Sequence, residues 1–167
     1  KGGVTKGGDA GDSGGGIRNY GVLDLRESVI TDNEAIYGGG IRNEFTARIT
    51  SSTISDNESQ MGGGIYNRGE LSVVSSTLSG NRALDPSGQG AAGIANLHQA
   101  PGSCGPVSFV GSTVTGNSTP GPRGGIWNGD GNCLFSLQNT IVAGNTSISA
   151  PETDDISGIL VTFGGNL

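Results

Sequence analysis

The run Gly38-Gly39-Gly40-Ile41-Arg42-Asn43 decides how this chain folds, because it recurs. Gly14-Gly15-Gly16-Ile17-Arg18-Asn19 precedes it by 24 residues, and Gly62-Gly63-Gly64-Ile65-Tyr66-Asn67 follows it by 24. Weaker copies stand at Ala92-Gly93-Ile94-Ala95-Asn96 and Gly124-Gly125-Ile126-Trp127-Asn128, at spacings of 29 and 32. A second motif interleaves with the first. It reads Ser28-Val29-Ile30-Thr31-Asp32-Asn33, Ser52-Thr53-Ile54-Ser55-Asp56-Asn57 and Ser76-Thr77-Leu78-Ser79-Gly80-Asn81. It continues as Ser112-Thr113-Val114-Thr115-Gly116-Asn117 and Thr140-Ile141-Val142-Ala143-Gly144-Asn145. A fixed period of this length marks a solenoid.

The period explains a composition that otherwise suggests disorder. Glycine supplies 33 of 167 residues, against a usual share near 7%. The glycines do not fall on every third residue, which excludes collagen. No window keeps helical apolar spacing for three turns without meeting Gly-Gly, which excludes a helical bundle. What remains is a set of apolar columns. Ile17, Ile41, Ile65, Ile94 and Ile126 form one; Ile30, Ile54, Leu78, Val114 and Val142 form another. Between them, Leu71-Ser72-Val73, Val107-Ser108-Phe109 and Leu134-Phe135-Ser136-Leu137 alternate as half-buried strands do. Each unit therefore holds two or three short strands with Gly and Asn corners.

One unit cannot bury its apolar face alone, but stacked units can. The expected fold is all-β: a right-handed, single-stranded parallel β-helix of five to six coils. Its stacked strands rise about 25–30 Å in total. The expected domain is one, over 1–167, with insertions at 84–106 and 118–123 and a last partial coil at 147–167. Asn33, Asn57, Asn81, Asn117 and Asn145 are expected to form one side-chain ladder. Asn19, Asn43, Asn67, Asn96 and Asn128 form a second.

With these motifs in hand, the chain resembles the bacterial β-helix repeat proteins related to the polymorphic outer membrane proteins, of pectin-lyase-like fold. The carrying residues are Gly62-Gly63-Gly64-Ile65 and Ser76-Thr77-Leu78-Ser79-Gly80-Asn81. Asp154-Asp155-Ile156-Ser157-Gly158 and Gly164-Gly165-Asn166-Leu167 look like the last coil of such domains. The resemblance implies a portion of a longer, exported polypeptide at the cell surface or outside the cell. The expected function is a structural or adhesive scaffold without catalytic residues. Two alternatives accompany that expectation. One is a carbohydrate-binding or polysaccharide-degrading β-helix whose site lies mostly in other coils. The other is a subunit of a head-to-tail filament, since uncapped coils expose strand edges.

Charge narrows the partners. The net charge is −6, and after Leu84 the only base is Arg123. No basic footprint for nucleic acid exists, and no apolar run is long enough to span a bilayer. Expected partners are other segments of the same polypeptide, identical copies, glycans or surface proteins. No cofactor is expected, with Ca²⁺ as the one weak candidate. It would sit on Asp32, Glu34, Asp56 and Glu58, stacked on adjacent coils. The plainer reading is solvated corner acids, at stations that become Gly80, Gly116 and Gly144.

Other candidate chemistry is sparse. His98 is the single histidine, set in the inserted loop. Gly11-Asp12-Ser13-Gly14-Gly15 superficially matches a serine-protease string, but the repeat already explains its glycines. Cys104 lies 13 residues before Asn117, and Cys133 lies 12 before Asn145. They hold nearly one station on neighbouring coils, so a disulfide is expected; by loop entropy it would contribute ~3–4 kcal/mol. Asn57, Asn117 and Asn145 head glycosylation acceptor strings but are read as buried corners. Arg18, Arg42, Tyr66 and Trp127 alternate with the Ile column. They are expected to point outward as a flat strip suited to carbohydrate or protein.

Overall fold

The computed structural model describes residues 14–87, 90–97, 105–129, 134–149 and 155–166. Among them every regular element is a β-strand, and every strand pairing is parallel. The first coil is β1 (Ile17–Asn19), β2 (Val22–Arg26), β3 (Val29–Thr31) and β4 (Glu34–Tyr37). The second is β5 (Ile41–Asn43), β6 (Thr46–Thr50), β7 (Thr53–Ser55) and β8 (Glu58–Met61). The third is β9 (Ile65–Asn67), β10 (Glu70–Val74), β11 (Thr77–Ser79) and β12 (Arg82–Ala83). The fourth is β13 (Ile94–Asn96), β14 (Val107–Val110), β15 (Thr113–Thr115) and β16 (Ser118–Thr119). The fifth is β17 (Ile126–Asn128), β18 (Phe135–Gln138), β19 (Ile141–Ala143) and β20 (Thr146–Ser147). β21 (Ile156–Gly158) and β22 (Val161–Phe163) begin a sixth.

Like strands stack into four sheets. The first is β1-β5-β9-β13-β17-β21 and the second β2-β6-β10-β14-β18-β22. The third is β3-β7-β11-β15-β19 and the fourth β4-β8-β12-β16-β20. The chain is thus a parallel β-helix, as the period requires. It has four strands per full coil rather than two or three. The fourth sheet carries no apolar alternation to announce it. Its inward column is Ala35, Ser59, Ala83, Thr119 and Ser147, all small and all buried.

The three remaining sheets fill the interior. Ile17↔Ile41↔Ile65↔Ile94↔Ile126↔Ile156 stack in register on the first sheet. Leu71, Val73, Val107, Phe109, Phe135 and Leu137 point in from the second, and Ile54, Leu78, Val114 and Val142 from the third. Phe109 and Phe135 stack with centroids 5.7 Å apart. Each fully buried aliphatic chain contributes about 1.5–3 kcal/mol.

The corners follow the motifs. Between fourth and first sheets, the glycine triplets stack by main chain alone: Gly38 N–H bonds Met61 O at 2.9 Å, and Gly39 N–H bonds Gly62 O at 3.2 Å. A Cβ on Gly39 would stand 2.5 Å from Glu58 O and 2.6 Å from Gly63 O, so only glycine fits. The other three corners are held by side chains.

Candidate functional site

Three polar ladders run along the corners. In the first, each Asn Nδ2 donates to Oδ1 of the next coil: Asn19 to Asn43, Asn43 to Asn67 and Asn67 to Asn96 at 2.7 Å, and Asn96 to Asn128 at 2.8 Å. Asn128 ends the run on Ile159 O at 2.7 Å. In the second, Asn33 donates to Asn57 at 2.8 Å, Asn57 to Asn81 at 3.0 Å, Asn81 to Asn117 at 2.9 Å and Asn117 to Asn145 at 2.7 Å. Each Oδ1 also accepts the main-chain N–H of the preceding rung, as Asn117 Oδ1 does from Asn81 N at 3.0 Å. Asp155 replaces the sixth asparagine. Its Oδ1 accepts both Asn145 N at 2.9 Å and Asn145 Nδ2 at 2.8 Å.

The third ladder escaped the sequence reading, although its residues head every second motif. Ser28 N–H donates to Ser52 Oγ at 3.1 Å, Ser52 N–H to Ser76 Oγ at 3.1 Å and Ser76 N–H to Ser112 Oγ at 3.2 Å. Thr140 N–H donates to Asn166 Oδ1 at 2.9 Å. The constant Ser/Thr station was the available signal. Asn57, Asn117 and Asn145 are all buried, which places the three glycosylation strings in the ladder.

The outward column of the first sheet is in register as expected: Arg18↔Arg42↔Tyr66↔Ala95↔Trp127. It is not an open strip. Arg18 is exposed, but Tyr66 and Trp127 are each only 9% exposed. Alternation tells which side of a sheet a residue occupies, not whether a second layer covers that side. Here Ala91, at the station of Gly62, packs with Tyr66, Ala95 and Trp127, and Met61 and Leu97 border them. Burial pushes the Tyr66 phenol above the ordinary tyrosine range, against the opposing pull of Arg68 and Arg42. Arg42 lies over Tyr37 and Tyr66 and pairs with Glu44, which also faces Arg68 at 3.5 Å. Further along, the Arg123 guanidinium lies 4.1 Å from the Trp127 ring centroid.

The acids named for Ca²⁺ stand at one corner of adjacent coils. Glu34 and Glu58 are register partners, but Glu58 accepts from Arg82 at 3.1 Å on the next coil. Asp32 and Asp56 take left-handed backbone (φ 57° and 55°) at the corner. Among the described residues, no set of three or more His, Cys, Asp or Glu side chains is gathered to hold a metal ion. Cys104, Cys133 and His98 lie outside the described residues. A shallow depression of about 120 Å³ on the fourth sheet is lined by Arg82, Ser118, Thr119, Pro120, Thr146 and Ile148. Among the described residues no helix is long and apolar enough to cross a membrane.

Compared with protein families, curated proteins and solved structures, the chain gives no significant match. The β-helix stands on its own geometry.

Proposed function

We propose that the chain is a non-catalytic scaffold or adhesive module of an exported protein, outside the cell or on its surface, of the polymorphic outer membrane protein type. One observation carries this reading. Most of the buried polar side chains belong to the three ladders; Ser59, Thr119 and Ser147 stand instead on the small inward column of the fourth sheet. The polar chemistry of the interior is thus spent on registering one coil against the next. Each such bond adds about 0.5–1.5 kcal/mol net. Repetition of that kind gives a stiff spacer whose flat sides present whatever the insertions carry. Low charge and many Ser and Thr residues suit an exported surface protein.

The reading is tested in cells that express the gene, with antibody to this segment applied before and after permeabilisation. Labelling of intact cells or of the medium supports it. Labelling only after permeabilisation overturns it. Incubation of the purified chain with acidic polysaccharide and Ca²⁺ tests the non-catalytic part; release of unsaturated or reducing ends would overturn that part.

A further inference from the structure

The third sheet differs from the other three on its outer face. Among the described residues, its strands alone turn no charged and no aromatic side chain outward. The first sheet turns out Arg42 and Trp127, the second Asp24 and Arg48, the fourth Glu58 and Arg82. On the third, Ile54, Leu78, Val114 and Val142 point in, so their strand neighbours point out. Thr53, Thr77 and Thr113 stand in register as one rank, and Ser55, Ser79 and Thr115 as a second. Val29 and Ile141 close the first rank at its ends. All six hydroxyl residues are partly exposed. Ser55 Oγ lies 3.4 Å from Thr31 Oγ1. Among the described residues, the hydroxyls of Thr53, Thr77, Ser79, Thr113 and Thr115 have no protein hydrogen-bond partner.

The face is held to a fixed repeat. It lies between the Ser/Thr ladder and the second Asn ladder, and side-chain ladders hold a sheet flat. The insertions enter at the corners on either side of the first sheet and leave both corners of the third unchanged. The hydroxyls therefore recur at the strand spacing of about 4.8 Å.

The chemistry of the face selects its occupant. Without outward charge it offers nothing to nucleic acid. Without Trp, Tyr or Arg it lacks the anchors of a protein interface, where Ser, Thr and Val are under-represented. It has no aromatic ring on which a sugar could stack. What it offers is a lattice of neutral hydroxyls that both donate and accept, with a methyl beside each Thr hydroxyl. Methyls order first-shell water, and hydroxyls bond it in place. Tetrahedrally bonded water oxygens about 2.75 Å apart put second neighbours about 4.5 Å apart. Over the two intervals from Thr53 to Thr113, that repeat and the strand spacing drift apart by only about 0.6 Å.

We propose that the outer face of the third sheet binds ice, through water ordered on its Thr and Ser ranks. This goes beyond the scaffold reading, which requires no ligand and stands if this inference fails.

The test is slow growth of an ice shell in a dilute solution of the whole chain, beside an acidic globular carrier protein. The chain should enter the ice fraction at least ~10-fold more than the carrier. Thr77→Tyr sets a ring in the middle of the first rank while keeping a residue suited to strands. It should lower entry at least ~10-fold, the loss of one to two hydrogen bonds. Thr113→Tyr should do the same, and serves alone if Thr77→Tyr does not fold. Ser72→Tyr, on the outer face of the second sheet in the same coil as Thr77, should leave entry unchanged. Urea midpoints of each variant separate lost binding from lost fold. Entry of the unaltered chain at the carrier level overturns the inference. Undiminished entry of the folded Thr77→Tyr and Thr113→Tyr variants, or equal loss in Ser72→Tyr, overturns the assigned face. Sedimentation with powdered chitin or cellulose, abolished by Thr77→Tyr in a chain that stays out of ice, would make the occupant a crystalline glycan and overturn it too.

Discussion

Ser59 is the one described residue whose buried side-chain oxygen has no hydrogen-bond partner. It stands between Ala35 and Ala83 in the small inward column of the fourth sheet. Removing an unsatisfied buried hydroxyl removes its desolvation penalty, about 1–3 kcal/mol. Ser59→Ala should therefore raise stability by about 1 kcal/mol in urea unfolding. Asn81 is the opposite case. Its Oδ1 accepts from Asn57 N and Nδ2, while its Nδ2 donates to Ile54 O and Asn117 Oδ1. Asn81→Asp keeps the accepting side and turns a carboxylate towards two acceptors. The charged form is disfavoured, so the folded pKa of the new carboxyl rises above its unfolded value of about 3.9. Its stabilising proton is bound fully below that unfolded value and is lost as pH rises through the folded value. The variant should be least stable at neutral pH and recover towards acid; an unfolding series over pH 3–8 checks this against the unaltered chain. Asp155 shows why an acid is tolerated at the ladder's end: it only accepts, from Asn145.

At the scale of elements, the sequence announced the strands that bury large apolar side chains and concealed those that do not. The Ile column and the Leu-Ser-Val alternation declared the first three sheets. The fourth packs Ala35, Ser59, Ala83, Thr119 and Ser147 against the glycine corner, and small residues carry no periodic hydrophobic signal. Their smallness is a requirement. Ala83 is fully buried in β12, and Ala83→Leu would drive three more heavy atoms into a filled interior. Overpacking of that kind costs about 1–3 kcal/mol, which thermal melting would register as a lowered Tm. The burial of Tyr66 and Trp127 on the outward strip was hidden for a related reason. The strip's register was legible in the Ile-Arg-Asn, Ile-Tyr-Asn and Ile-Trp-Asn triplets. Ala91 and Leu97, which pack with it, stand at the stations of Gly62 and Arg68, where the period fixes the backbone path but not the side chain. Arg123 lies over Trp127 from the station of Gly38 and Gly62, so that contact joins two repeat stations through residue types the period does not fix.

For the whole molecule, the decisive information was the period. A parallel solenoid needs every coil to present the same backbone path. The sequence meets that need with glycine where main chain meets main chain, Asn or Ser where a corner must be pinned, and branched aliphatics inside. The coil count, the parallel order and both asparagine ladders were therefore legible before any coordinate. Insertions lengthen the rungs to 36 residues between Asn81 and Asn117 without breaking the ladder, because they leave the corner residues in place. Side-chain amide hydrogen exchange measures this claim most directly. The Nδ2 protons of Asn43, Asn67, Asn81, Asn96 and Asn117 are buried and bonded across coils, so their exchange requires the solenoid to open. Their protection should exceed that of a free asparagine amide by about 10³-fold or more. Exchange of these five amides at the free-amide rate in the folded protein would contradict the ladder-registered solenoid.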